Sequence, residues 1–170
     1  MENLKTDEGT QIRILDLEGN TLLEIPYEDA NFTTDPDRRM IIYQNQLLGV
    51  IGFDGKVLVP PIYEKITYAY PFFLLEKGGR TKILTLENQI ISNNIPAETN
   101  FEFYDDEVVC LTKNDSYFIL DHNAKLIAQF KQKVERLPVN NPLAKGYLKL
   151  VESNERPVYV SKDNGRVFKE

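Results

Sequence analysis

"LGVIGFDGKVLVPPIYEKI", Leu48 to Ile66, decides how the rest of the chain is read. Two apolar runs flank the pair Asp54-Gly55, and "PPIYE" closes the second run. Asp-Gly between apolar runs is a hairpin signal, because a tight turn needs positive φ and Gly accepts it without a steric penalty. Working outward from this hairpin, the same pattern recurs. "IRILDLEGNTLLEI" starts at Ile12, "TKILTLENQIISNN" at Thr81, "YFILDHNAKLIAQF" at Tyr117 and "PVYVSKDNGRVFKE" at Pro157. The turn column reads Gly19, Gly55, Asn88, Ala124 and Asn164, spaced by about 36 residues, a period found in propellers and solenoids. Ala124 is the exception, and Asn123 before it is assigned the left-handed position.

The flanking columns agree. Ile14, Val50, Ile83, Ile119 and Tyr159 align, and Leu15, Ile51, Leu84, Leu120 and Val160 align beside them. After the turn come Leu22, Leu58, Ile91, Ile127 and Val167. Adjacent apolar columns predict strands buried on both faces.

Between the hairpins a third strand recurs at "RMIIYQN", "PFFLLEK", "DEVVCLTK" and "GYLKLVE". A shorter fourth precedes it at "EDANFT", "EKITYAY", "ETNFEFY" and "VERLPV". "LIAQFKQKVERL" from Leu126 could be drawn as a helix, but the alignment makes its first half the return strand of a hairpin. The expected fold is therefore all-β: one β-repeat domain over residues 1–170, with hairpins near 12–25, 47–60, 81–94, 117–130 and 157–169. These antiparallel hairpins form a meander, closed as a small propeller-like ring or open as a twisted array. The charged ends "MENLKTDEG" and "RVFKE" are read as caps against edge pairing.

The opening stretch resembles the WG-repeat (KWG-repeat) family, at Gly49, Val50, Ile51, Gly55, Lys56, Val57, Pro60, Pro61, Tyr63, Glu64 and Ile66. Leu48 stands where the family has tryptophan, and the chain contains no Trp. The first copy keeps "EGN" and "IPYEDA", the third keeps "IPAET", and the last two keep the hairpin pattern. The resemblance implies stacked β-hairpins and a binding or scaffold role. Such proteins are mostly bacterial, and some belong with toxin and immunity systems. The motif carries no catalytic residue: its glycines turn, its prolines break pairing, and its tyrosine packs.

Composition narrows the function classes. A 42% hydrophobic and 27% charged chain of 170 residues has the balance of a globular domain rather than a disordered one. The formal net charge of -6, with no Lys/Arg cluster, disfavours nucleic acid as a partner and suits solubility or a basic protein partner. No apolar run has the length of a membrane span, and "MENLKTDEGTQ" has no apolar signal core, so the expected compartment is the cytoplasm.

Candidate chemistry is sparse. Cys110, the only cysteine, sits in the apolar run "EVVCLTK" and reads as a small buried hydrophobe. His122, the only histidine, reads as an exposed turn residue, so no His-based metal site or Cys-His pair is expected. Asp35 and Asp37 in "TTDPDRR" and Asp105, Asp106 and Glu107 in "FEFYDDE" read as solvated acidic loops, not as a glycosidase pair. No catalytic residue, metal or cofactor is assigned. The residues proposed to meet a partner are Tyr68, Tyr70, Tyr104, Asp105, Asp106 and Glu107, tyrosines beside acids that suit a basic protein surface. The expected function is a non-enzymatic protein-binding module, in its sharpest form a bacterial immunity-type protein that neutralises a cognate toxin. The alternative is a β-repeat domain that binds a glycan or small molecule through its linker aromatics.

Overall fold

The computed structural model describes residues 2–6, 9–105, 107–151 and 158–169, and among them every regular element is a β-strand. The chain forms two compact units, Met1–Gly78 and Gly79–Glu170. In the first, β1 (Glu2–Thr6), β2 (Gly9–Leu15) and β3 (Thr21–Ile25) make a three-stranded sheet in that order. β4 (Asp29–Phe32), β5 (Met40–Gln44), β6 (Leu47–Ile51) and β7 (Val57–Tyr63) make a four-stranded one. β8 (Lys65–Ala69) pairs with β9 (Phe72–Lys77).

In the second unit β10 (Arg80–Leu84) pairs with β11 (Ile90–Pro96). Two four-stranded sheets follow: β12 (Asn100–Tyr104), β13 (Val108–Lys113), β14 (Ser116–Asp121) and β15 (Leu126–Phe130), then β16 (Lys133–Arg136), β17 (Tyr147–Val151), β18 (Val158–Ser161) and β19 (Val167–Lys169). These pairings are antiparallel between strands consecutive in sequence. The all-β antiparallel meander read from the repeats is thus the fold. The segment from Leu126 is strand β15, a turn, then strand β16, with no helix.

The hairpin turns explain the repeat column. Asp16 donates its N–H to the Asn20 carbonyl, and Gly52 to Lys56, Thr85 to Gln89 and Asp121 to Lys125 do the same. In each loop the fourth residue has positive φ: Gly19 at 88°, Gly55 at 81°, Asn88 at 62° and Ala124 at 61°. Ala124 itself takes the left-handed position, not Asn123. The Asp121 carboxylate holds the loop by accepting from the N–H groups of Asn123 and Lys125. The fifth turn closes from Ser161 to Arg166, one residue longer, so the left-handed position passes from Asn164 to Gly165 at 69°. Where the second and third strands meet, Asn45-Gln46 and Asn114-Asp115 have positive φ at both positions, as a type I′ hairpin turn demands.

Gly49 and the Pro60-Pro61 pair, the two signatures of the opening stretch, meet in the structure. Leu48 pairs with Tyr63 and Val50 with Val59, so Gly49 alone faces Pro60, Pro61 and Ile62 across a bulge. A Cβ on Gly49 would lie 2.5 Å from the Val59 carbonyl oxygen and 2.8 Å from the Pro61 nitrogen. Only a residue without a side chain lets the two strands approach so closely.

The apolar columns fill a core in each unit. Ile12, Ile14 and Ile25 pack with Ala30, Met40, Ile42 and Ile51. In the second unit, Val108, Cys110 and Ile119 of one sheet pack with Val134, Leu148, Leu150, Val158 and Val160 of the next. Middle strands are buried on both faces, as Phe72 to Leu75 of β9 show. The post-turn column is not core: Leu22 is 54% and Val167 45% exposed, because they belong to the last strand of their sheets.

One residue departs from expectation. Asp35 is buried, not solvated. It accepts from the N–H groups of Asp37 and Arg39 and the Thr33 hydroxyl, and lies 3.5 Å from Nε of the equally buried Arg39. The Arg39 guanidinium also stands over the Phe73 ring at 5.6 Å. A buried guanidinium is tolerated only when its charge and donors are met, and this loop meets them.

Candidate functional site

The second unit carries a groove of about 960 Å³ between β12, β16 and the segment 137–146. Tyr104, Asp105 and Glu107 line it, together with Glu102, Arg136 and Lys162. β12 and β16 lie in different sheets, and their facing side chains are bridged by Arg136. Its guanidinium stands 5.6 Å from the Phe103 ring centre and donates to the Tyr104 carbonyl at 3.3 Å.

The segment "LPVNNPLAKG" is shaped by its prolines and asparagines into successive turns. Asn141 donates to the Pro138 carbonyl, Ala144 to Asn141 and Gly146 to Leu143, while the Asn141 side chain accepts from Leu143 N–H. Lys162 pins this segment to the groove. Its side chain is 4% exposed, and Nζ donates to both Asp105 carboxylate oxygens at 3.0 and 2.8 Å and to the Ala144 carbonyl at 2.7 Å. Glu107 Oε2 lies 3.5 Å away. An ammonium has three donors, and burial without partners for them would cost several kcal/mol. Two carboxylates face this one cation, and over the whole lining Glu102, Asp105, Glu107 and Glu135 are matched by Lys133, Arg136, Lys145 and Lys162. On the outer wall, Lys133 and Glu135 pair at 2.9 Å, a hydrogen bond that raises the Lys133 pKa.

The six sequence candidates are not all at this groove. Tyr104, Asp105 and Glu107 are, with Asp105 and Glu107 turned toward Lys162. Asp106 lies outside the described residues. Tyr68 and Tyr70 belong to the first unit. Tyr68 packs its ring 4.9 Å from that of Phe73, and its hydroxyl is buried without a hydrogen-bond partner. Burial, with a smaller contribution from Asp35, pushes its phenol pKa up to about 12. Tyr70 is 43% exposed. Cys110 is buried, and desolvation pushes its thiol up to about 12. His122 is exposed in its turn. Sequence reasoning missed Lys162 and Arg136. Lys162 lies 57 residues from Asp105, and nothing local marks either residue.

No family model matches the chain, and no curated protein matches it. Among solved structures, Hsv2 of Kluyveromyces marxianus is 13% identical at a TM-score of 0.43, over 92% of this chain and 55% of that one. PorZ, an essential bacterial surface component of the type-IX secretion system of Porphyromonas gingivalis, is 12% identical at a TM-score of 0.41, over 84% of this chain and 22% of that one. A protein of unknown function from Bacteroides caccae is 11% identical at a TM-score of 0.34, over 99% and 77%. The chain thus spans about half of the Hsv2 chain and a fifth of the PorZ chain.

Proposed function

We propose that the chain is a non-enzymatic binding module that recognises a basic protein surface through the groove rim of the second unit. In its sharpest form it is a bacterial immunity-type protein that occupies the substrate groove of a cognate toxin. The observation that carries the reading is the rim itself. Tyr104 and Phe103 stand beside Glu102, Asp105 and Glu107, on a chain whose formal net charge is -6. Complementary charge speeds encounter, and aromatics supply contact area at low entropic cost. The likeness of Leu48–Ile66 to the WG repeat points the same way.

The test is a pull-down with tagged chain from lysate of the source cells, repeated with the variant Glu102→Lys. Asp105 and Glu107 are left in place because both face the buried Lys162 ammonium. The expected result is one stoichiometric basic protein captured by the parent and lost by the variant. Capture of no protein, or equal capture by both, refutes the reading. A second reading, a glycan or small-molecule site, is favoured by the groove volume, which is of ligand-pocket size. Saturation-transfer NMR against a glycan and fragment set separates the two.

A further inference from the structure

The segment 137–146 joins β16 to β17, and it is longer than the matching connections β4–β5, β8–β9 and β12–β13. The next longest, residues 33–39, turns inward and buries Asp35 and Arg39. Segment 137–146 turns outward instead. Pro138, Asn140, Pro142 and Lys145 are exposed, and Val139 is 100% exposed. Leu137 and Leu143 of the same loop are half-buried, so Val139 is the aliphatic side chain that projects. A lone exposed valine is ordinary on a protein surface. The backbone that carries this one is held unusually well.

Asn141, Ala144 and Gly146 each donate within the loop, and the Tyr147 N–H also reaches the Leu143 carbonyl. Pro138 and Pro142 fix φ on either side of Asn140 and Asn141. Lys162 closes the far end twice. Its N–H donates to the Gly146 carbonyl at 3.0 Å, and its buried ammonium to the Ala144 carbonyl at 2.7 Å. The repeat does not need this clamp, because Tyr70-Pro71 alone joins β8 to β9. What a lysine buried under a surface loop yields is order. A loop that is ordered before it binds loses less entropy on binding.

We propose that segment 137–146 is an anchoring loop, which presents Val139 in its bound conformation to an apolar socket on a folded protein partner. The proposal rests on the groove reading above and adds what the partner must carry. Glu102 and Val139 line the same groove, so one partner surface meets both. A basic side chain of the partner faces Glu102, and the socket beside it takes the Val139 isopropyl group. A preformed socket is a property of a folded protein, not of a flexible peptide or a free sugar.

The test adds a third bait, Val139→Asp, to the pull-down, followed by calorimetry of the captured protein against each chain. Val139 is fully exposed, so the variant keeps its Tm within about 2 °C of the parent. Its affinity falls roughly thirtyfold or more, as for loss of a central anchor. Affinity within about threefold of the parent, with capture still lost by Glu102→Lys, overturns the anchor and leaves the groove reading standing. No capture by the parent overturns both. Backbone NMR relaxation on the free chain is the second measurement. Order parameters of about 0.85 across Val139, Asn141 and Ala144 are expected, and values below about 0.6 overturn the proposal.

Discussion

Replacing Gly49 with alanine puts a methyl group where the bulge of β7 already lies. The added Cβ stands 2.5, 2.8 and 2.9 Å from three backbone atoms, the Val59 oxygen, the Pro61 nitrogen and the Pro60 carbonyl carbon. A carbon–oxygen contact relaxes only at about 3.3 Å, so the strands must part by roughly 0.8 Å. No side chain can rotate to absorb this, and two of the three atoms belong to prolines whose φ is fixed. Overpacking of this kind costs about 1–3 kcal/mol, and a backbone-only clash belongs at the upper end. For a chain of this length a loss of about 3 kcal/mol lowers Tm by roughly 6–12 °C. Three other glycines separate the clash from the conformational effect. Gly146 has ordinary φ and open space, so alanine there is neutral or stabilising by up to about 1 kcal/mol. Gly19 has φ +88° and open space, so alanine costs about 1–2 kcal/mol. Gly55 has φ +81° and meets Leu23 Cδ1 at 2.9 Å, a flexible end that can move, so its cost falls between those of Gly19 and Gly49. Thermal and urea unfolding of the four variants give the order. If Gly49→Ala costs no more than Gly19→Ala, the close approach of β6 and β7 is not what the glycine serves.

Lys162→Met leaves Asp105 and Glu107 without their cation and should cost about 3 kcal/mol. Adding Asp105→Asn should restore most of it, as a double-mutant cycle in urea will show. Tyr68→Phe removes a buried hydroxyl that has no partner, so the variant should match or exceed the parent by up to about 1 kcal/mol; a clear loss would mean that the hydroxyl is bonded. The Cys110 thiol, raised from 9.0 to about 12 by burial, keeps its proton in the fold when the unfolded chain has lost it. Its stabilisation is complete below pH 9 and is lost between pH 9 and about 12, up to about 4 kcal/mol. Cys110→Val should flatten that alkaline limb in unfolding curves recorded from pH 8 to 11.5.

What was legible in the sequence was local. A hairpin is written in some fourteen consecutive residues, as apolar alternation around a turn residue, and the strands between hairpins share that alternation. The turns themselves show the limit. The fifth loop holds one extra residue, and only its Ser161–Arg166 closure explains why Gly165 and not Asn164 is left-handed. Ala124 could not be read as left-handed from its type, because the Asp121 carboxylate that holds the loop acts through backbone N–H groups. Part of the groove was visible as "FEFYDDE". The cation that organises it was not, since a lysine after an edge of β-strand normally reads as solvated. Arg39 misleads for the same reason: charge predicts exposure, and only the fold brings Asp35 and Phe73 to it.

The pairing of each strand with its sequence neighbour has a consequence for how the chain is made. A sheet such as β12–β15 needs only residues 100–130 to be complete, and β16–β19 needs only those that follow. A chain emerging from the ribosome can therefore finish one sheet before the next exists, with loop closures that are short and fast. The apolar face of each finished sheet then waits for its successor.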